Sequence, residues 1–371
     1  MAAATNELQF VWVQLQAGST VAKIGPWGGD YGGRDHDVTV APRRLRSVSL
    51  RHGKIIDSIA FTYDGGDGDG ELHSVGPWGG DGAELPEAVA RKLAAGERPP
   101  GATVAEFTFD AGERVTEVHG TVGPFGDRDS LVTSLKLVTD RRTIGPFGYG
   151  AGTPFSVPVR GDGGVVGFFV RAGAYLEAIG VYVNPWTRRP KATKLIKPAA
   201  NRSIYPSLCR GWGLGCSCKR EMAGSLVKLG AWGGDHGGKE YDVTVAPQRL
   251  EGFWLRYGKV IDCISFSYLD KDKNLHTIGP WGGQGGLSEE TITFEPSEYV
   301  KEVHGSVGPI GDYTHVVTSL KLVTSQRTIG PFGNGAGTPF AVPVLNNGSV
   351  VGFFARAGPY LESIGIYVHP F

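Results

Sequence analysis

The chain has 371 residues, 58 of them glycine, and its 37 Lys and Arg balance 37 Asp and Glu. Glycine at about twice its usual share, mixed with Val, Ile, Phe, Thr and Tyr and lacking a G-x-y period, points to many short strands joined by tight turns. The even charge excludes a global field that would steer the protein to nucleic acid or acidic lipid. Four clustered cysteines are too few for a disulfide scaffold.

The segment Met1–Asn6 has no basic start and Glu7 interrupts it, so no signal peptide is expected. No run of about 20 apolar residues could span a bilayer as a helix. These features imply a cytoplasmic or nucleocytoplasmic protein with reduced cysteines. Residues 1–17 form an N-terminal extension, in which LQFVWVQL has the pattern of one added strand.

From there the chain is written twice. Copy one covers 18–185 and copy two 224–371; Trp27 matches Trp232, Asp57 matches Asp262, Trp78 matches Trp281 and His119 matches His304. Six turns carry an aromatic plug before a glycine cluster: GPWGGDYGG at Gly25, GPWGGDGA at Gly76, GPFGYGAG at Gly145, and their counterparts at Gly230, Gly279 and Gly330. Between them, runs such as KIIDSIAFTYD and VTSLKLVTD alternate with a period near two. Such runs predict twelve short antiparallel strands per copy and an all-β fold with three-fold pseudo-symmetry. Copy one alone has an insertion at about 84–102, whose ELPEAVARKLAAGERPP predicts a short helix. Residues 186–223, basic and without apolar periodicity, have the composition of a linker.

Several motifs, in fixed order, resemble the jacalin-related lectins. They are KIGPWGGDYGG and KLGAWGGDHGG, GPFGYGAGTPFSVPV and GPFGNGAGTPFAVPV, and the closing GFFVRAGAYLEAIGVYVNP and GFFARAGPYLESIGIYVHP. The resemblance covers both copies almost end to end. It implies two β-prism I domains, each of three four-stranded antiparallel sheets, and a mannose- or glucose-type lectin. In that family the sugar pocket joins a glycine-rich turn to a G-x-x-x-D loop. The chemistry suits a hexose: a carboxylate accepts two adjacent hydroxyls while loop amides donate to ring and exocyclic oxygens. Exposed hydrogen bonds at about 1 kcal/mol each leave a single site on the order of millimolar, so avidity would come from several sites.

The principal family site corresponds to Gly173-Ala174-Tyr175-Leu176-Glu177 facing Gly33, and to Gly358-Pro359-Tyr360-Leu361-Glu362 facing Gly238. Both carry Glu where the motif has Asp, and Pro359 has no amide to donate. The second pocket keeps the motif: Gly53-Lys54-Ile55-Ile56-Asp57, beside Ala83 and the insertion, and Gly258-Lys259-Val260-Ile261-Asp262, facing Gly285-Gly286. That last pocket is the best candidate. A third pair of loops, Gly123 to Asp127 and Gly308 to Asp312, carries proline at its first x position and is not expected to bind sugar.

His119 and His304 fall in strand-like runs and are expected to be structural. Cys216 and Cys218 are too close for zinc spacing, so no metal and no cofactor are expected. The expected partners are mannose- or glucose-containing glycans or glycoproteins, without nucleic acid; self-association is left open. The runner-up is a degenerate lectin scaffold that binds protein partners through its prism faces. A glycoside hydrolase ranks lower, because each pocket offers one acid where that reaction needs two.

Overall fold

In the computed structural model, residues 21–66, 71–80, 103–185, 226–345 and 348–370 are described. The N-terminal extension, the insertion and the linker lie outside them. Among the described residues each copy contributes twelve strands, as the alternating runs predict.

In copy one, β1 (Ala22–Gly28), β2 (Arg34–His36), β11 (Gly164–Ala172) and β12 (Leu176–Asn184) form one sheet in the order β2-β11-β12-β1. The second is β5 (Glu71–Gly79), β4 (Ile56–Gly65), β3 (Pro42–His52) and β6 (Thr103–Thr108), adjacent in that order. The third is β9 (Thr143–Gly148), β8 (Arg128–Thr139), β7 (Val115–Phe125) and β10 (Thr153–Pro158). All described pairings are antiparallel. Copy two repeats the pattern. Its sheets are β13 (Val227–Gly233), β14 (Lys239–Tyr241), β23 (Ser349–Ala357) and β24 (Leu361–His369); β15 (Arg249–Tyr257), β16 (Ile261–Leu269), β17 (Leu275–Gly282) and β18 (Ser288–Thr293); and β19 (Val300–Ile310), β20 (Tyr313–Thr324), β21 (Thr328–Gly333) and β22 (Thr338–Leu345). This is the β-prism arrangement the resemblance implies.

The inner faces of the sheets meet on aromatic triads. Phe61 meets Trp78 and Phe168 edge-on at 5.4 and 5.5 Å, and Phe266 meets Trp281 and Phe353 at 5.3 and 5.4 Å. Each such side chain contributes about 2 kcal/mol by burial, with a further increment for the edge-to-face geometry. The plug of the first turn, Trp27, stacks on Phe155 at 5.0 Å, as Trp232 does on Phe340 at 5.3 Å. The turns are therefore tied into the core by the aromatic residue each one carries.

Ion pairs between a buried glutamate and a half-exposed arginine hold the ends of the third sheets. Glu113 accepts from Arg142 Nε and Thr139 Oγ1 at 2.9 Å each, and Glu298 from Arg327 Nε at 2.9 Å and Thr324 Oγ1 at 2.7 Å. His119 and His304 pair with Glu117 and Glu302 on partly exposed strand faces.

The copies are not independent beads on a tether. Strand β1 pairs with β22 through Lys23 opposite Leu345 and Ile24 opposite Val344, and Val159 bridges Leu229. The indole Nε1 of Trp27 donates to Ala341 O at 2.9 Å, and that of Trp232 to Ser156 O at 3.3 Å. Ala341 and Ser156 hold matching places in the two copies, so the seam is pseudo-two-fold.

Candidate carbohydrate site

Four hairpin loops share one geometry. The amide of Gly53 donates to Ile55 O, Gly173 to Tyr175 O, Gly258 to Val260 O and Gly358 to Tyr360 O, all at 3.0 or 3.1 Å. The acid is then the second residue of the next strand: Asp57 on β4, Glu177 on β12, Asp262 on β16 and Glu362 on β24. Its own carbonyl is covered by a turn glycine. A Cβ at Gly28 would lie 2.1 Å from Glu177 O, and one at Gly282 2.1 Å from Asp262 O. Glycine at these turns is a steric requirement, and at Gly282 the φ of +131° adds a conformational one.

In the principal pockets the glutamates fold into their own turns. Glu177 is buried; its Oε2 accepts from Tyr31 N at 2.9 Å and Gly33 N at 3.2 Å, and its Oε1 from Arg128 Nη1 at 3.2 Å. Glu362 Oε2 accepts from His236 N at 2.9 Å and Gly238 N at 3.1 Å. Each carboxylate thus reaches two amides of its own turn. Arg128 stands 5.7 Å from the Tyr31 ring and 5.9 Å from that of Tyr175, while Tyr360 packs edge-on against Tyr313 at 5.3 Å. Ala174 is partly buried in the same loop as Tyr175.

The Asp262 pocket differs. Its side chain is only 3% exposed, yet Oδ2 has no hydrogen-bond partner. A Cβ at Gly285 would lie 2.3 Å from Oδ1 and one at Gly286 2.6 Å from Oδ2, so both turn glycines rest directly on the carboxylate. Burial raises the Asp262 pKa, opposed by Arg256 and the Gly258 amide. An orphaned buried carboxylate oxygen carries an unrecovered desolvation cost of a few kcal/mol. A ligand hydroxyl that reached it would recover part of that cost.

Asp57 is likewise raised by burial, opposed by Arg51 and His52, and Arg51 Nε lies 3.8 Å from its Oδ2. The facing position Ala83 lies outside the described residues. Ile55 and Val260 are buried in the core, at 1% and 2% exposure, so they anchor their loops and only their backbone could meet a ligand. Lys54 and Lys259 also act through the main chain: their carbonyls accept Tyr149 N at 3.0 Å and Asn334 N at 3.2 Å.

The third loops need a correction. Asp127 lies at the tip of the tight β7–β8 hairpin, between the paired Phe125 and Arg128, and does not occupy the acid position. The true counterparts are Thr133 and Thr318, whose carbonyls would meet a Cβ at Gly148 and Gly333 at 2.2 and 2.1 Å. A hydroxyl stands in place of the carboxylate and donates to Ala151 O or Ala336 O at 2.5 Å, so these pockets lack the two-oxygen acceptor. Sequence reasoning missed Arg128 and the Tyr31 and His236 amides, which bond the glutamates from other strands or turns, and Arg256, whose charge acts on Asp262 from β15. Among the described residues no group of three or more His, Cys, Asp or Glu converges as a metal site.

A model of the jacalin-like lectin domain matches residues 24–182 and 229–367. Horcolin of Hordeum vulgare is 44% identical over 145 residues, 39% of this chain and 97% of that protein. A mannose/glucose-specific lectin of Parkia pendula is 30% identical over 354 residues, 94% of this chain; the chain spans 64% of its length. An agglutinin of Castanea crenata is 29% identical over 94% of this chain and 98% of its own. Among solved structures, a mannose binding jacalin related lectin from Ananas comosus aligns with 39% of the chain at 40% identity and a TM-score of 0.38. Matched twice, over the same strands that build the two prisms, the chain belongs to the jacalin-like lectin family.

Proposed function

We propose that the protein is a non-enzymatic lectin for mannose- or glucose-type glycans whose leading site is the Asp262 pocket of the second prism. The orphaned Asp262 Oδ2 beneath Gly286 carries this reading: it is a buried acceptor without a partner, at the position where the family motif places the sugar-binding acid. The name of the Parkia relative supports the sugar class. Asp57 supplies a second, weaker site, and the Glu177 and Glu362 pockets are filled by their own side chains. Each site binds a monosaccharide on the order of millimolar, and useful affinity comes from joint engagement of both prisms.

The test is calorimetry with methyl α-mannoside, alongside a glycan array, on the full chain and on its Asp262→Ala and Asp57→Ala variants. Asp262→Ala should remove most of the monosaccharide binding and the double variant all of it. Binding that survives the double variant would refute the site assignment. Absence of binding by the unmodified chain at high glycan density would favour the protein-scaffold reading.

A further inference from the structure

The two prisms carry the same arginine beside the second pocket, but a different neighbour opposite it. Arg51 and Arg256 hold matching positions on β3 and β15, one facing Ser58 and the other Cys263, immediately beyond the acid. On their other side the register pairs Arg51 with Val104 of β6 and Arg256 with Glu289 of β18. The consequence is visible in both pockets. Arg256 turns to Glu289, its Nε donating to Oε1 at 2.8 Å, and Asp262 Oδ2 is left without a partner. Facing an apolar Val104, Arg51 leans instead towards its acid, with Nε 3.8 Å from Asp57 Oδ2.

We infer that Glu289 is a positioning residue for the sugar site of the second prism: by holding Arg256 it keeps the Asp262 carboxylate free to accept sugar hydroxyls. The inference rests on the reading of Asp262 as the sugar acceptor. A hexose is neutral, so Glu289 has no long-range attraction to offer it, and its influence passes through the arginine. A guanidinium paired with the acid would compete for the same oxygens that the two hydroxyls need. The β15–β18 register is what makes the device possible, since cross-strand neighbours stand close enough to pair directly. The Glu289–Arg256 pair is half-exposed, which sets its influence at the scale of a surface ion pair.

The experiment uses the full chain with Asp57→Ala, so that methyl α-mannoside reports on the second prism alone. Glu289→Val should weaken binding about threefold to fivefold, and adding Arg256→Gln should restore it. The Asp262 carboxyl titration, followed by carbon NMR, gives a readout that needs no sugar. It should move to lower pH in Glu289→Val, because Arg256 then pairs with the acid, and the movement should vanish when Arg256 is Gln. In the mirror experiment, Val104→Glu in a chain with Asp262→Ala should strengthen the Asp57 pocket by a similar factor. A loss in Glu289→Val that Arg256→Gln does not rescue, or an Asp262 titration that Glu289→Val leaves unmoved, overturns the proposal. Loss of sugar binding in none of the Asp262 variants instead removes the site reading, while the titration still decides the arginine's position.

Discussion

The carboxylate of Glu177 accepts the Gly33 amide at 3.2 Å, and in the other prism Glu362 accepts Gly238 at 3.1 Å. Side chain and turn thus satisfy each other where the family motif leaves an acid and an amide to share a ligand. Shortening the side chain should separate them. Glu177→Asp, made in a chain whose Asp57 and Asp262 are both alanine, is expected to create a methyl α-mannoside site of roughly millimolar strength where there was none. Glu362→Asp should gain less, since Pro359 cannot donate. Calorimetry decides; a Glu177→Asp chain that stays silent rules out self-filling as the cause.

Acid should separate binding from folding. Burial raises the Asp57 and Asp262 pKa values, so their ionised forms, which the proposed sugar sites use, are lost above the usual carboxylate range. For a raised acid the sign is that protonation relieves the fold, so this step costs no stability. Glu113 and Glu298 behave oppositely. Burial alone would raise them, but hydrogen bonds from the Asp110 amide, Arg142 and Thr139 to Glu113, and from Arg327, Thr324 and the Glu295 amide to Glu298, outweigh it and hold both below the usual range. Their stabilisation is present above the unfolded-state pKa and disappears as pH falls through the lowered folded value. On acid titration, mannoside binding should therefore vanish at a higher pH than the near-ultraviolet circular dichroism signal. Coincident losses would contradict the assignment of Asp262.

The Glu298 cluster can also be tested directly. Glu298 is 1% exposed and charge-bonded to Arg327 and Thr324. Glu298→Ala strands both partners and should cost about 2 kcal/mol in urea unfolding, the scale of a hydrogen bond to a charged group. Sugar affinity at neutral pH should be unchanged, because the cluster is in contact with neither Asp262 nor its turn.

Trp27→Phe keeps an aromatic plug against Phe155 but removes the indole donor to Ala341 O. A loss of about 1 kcal/mol is expected. Combined with Trp232→Phe, it should broaden or split the thermal transition as the prisms uncouple. A single unshifted transition in the double variant would show that strand pairing alone holds the seam.

Local chemistry was the legible part. Alternating apolar runs and six glycine turns specify the strands and sheets, because both depend on neighbours close in the chain. Asp262 opposite Gly285 and Gly286 was legible for the same reason: the motif and its turn each survive as short strings. What escaped depends on register or on spatial equivalence. The spacing of Gly123 to Asp127 copies the motif in letters, yet the strands go on pairing past Gly123 as far as Phe125 and Arg128, and the acid position falls on Thr133. Ile55 and Val260 sit inside the motif but point into the core. The Arg128–Glu177 and Arg256–Glu289 pairs join residues 49 and 33 positions apart, where no local pattern announces a contact.

The strand pairing between Lys23–Ile24 and Val344–Leu345 has a consequence for what the molecule can recognise. Two weak sites on freely swinging domains would accept branches at almost any distance. On the proposed reading, sites fixed to one another through a shared sheet act as a caliper, and the arms of a branched glycan must match its jaws. Selectivity then comes from the distance between terminal sugars as much as from their stereochemistry, so two glycans with identical ends can be told apart by their branching alone.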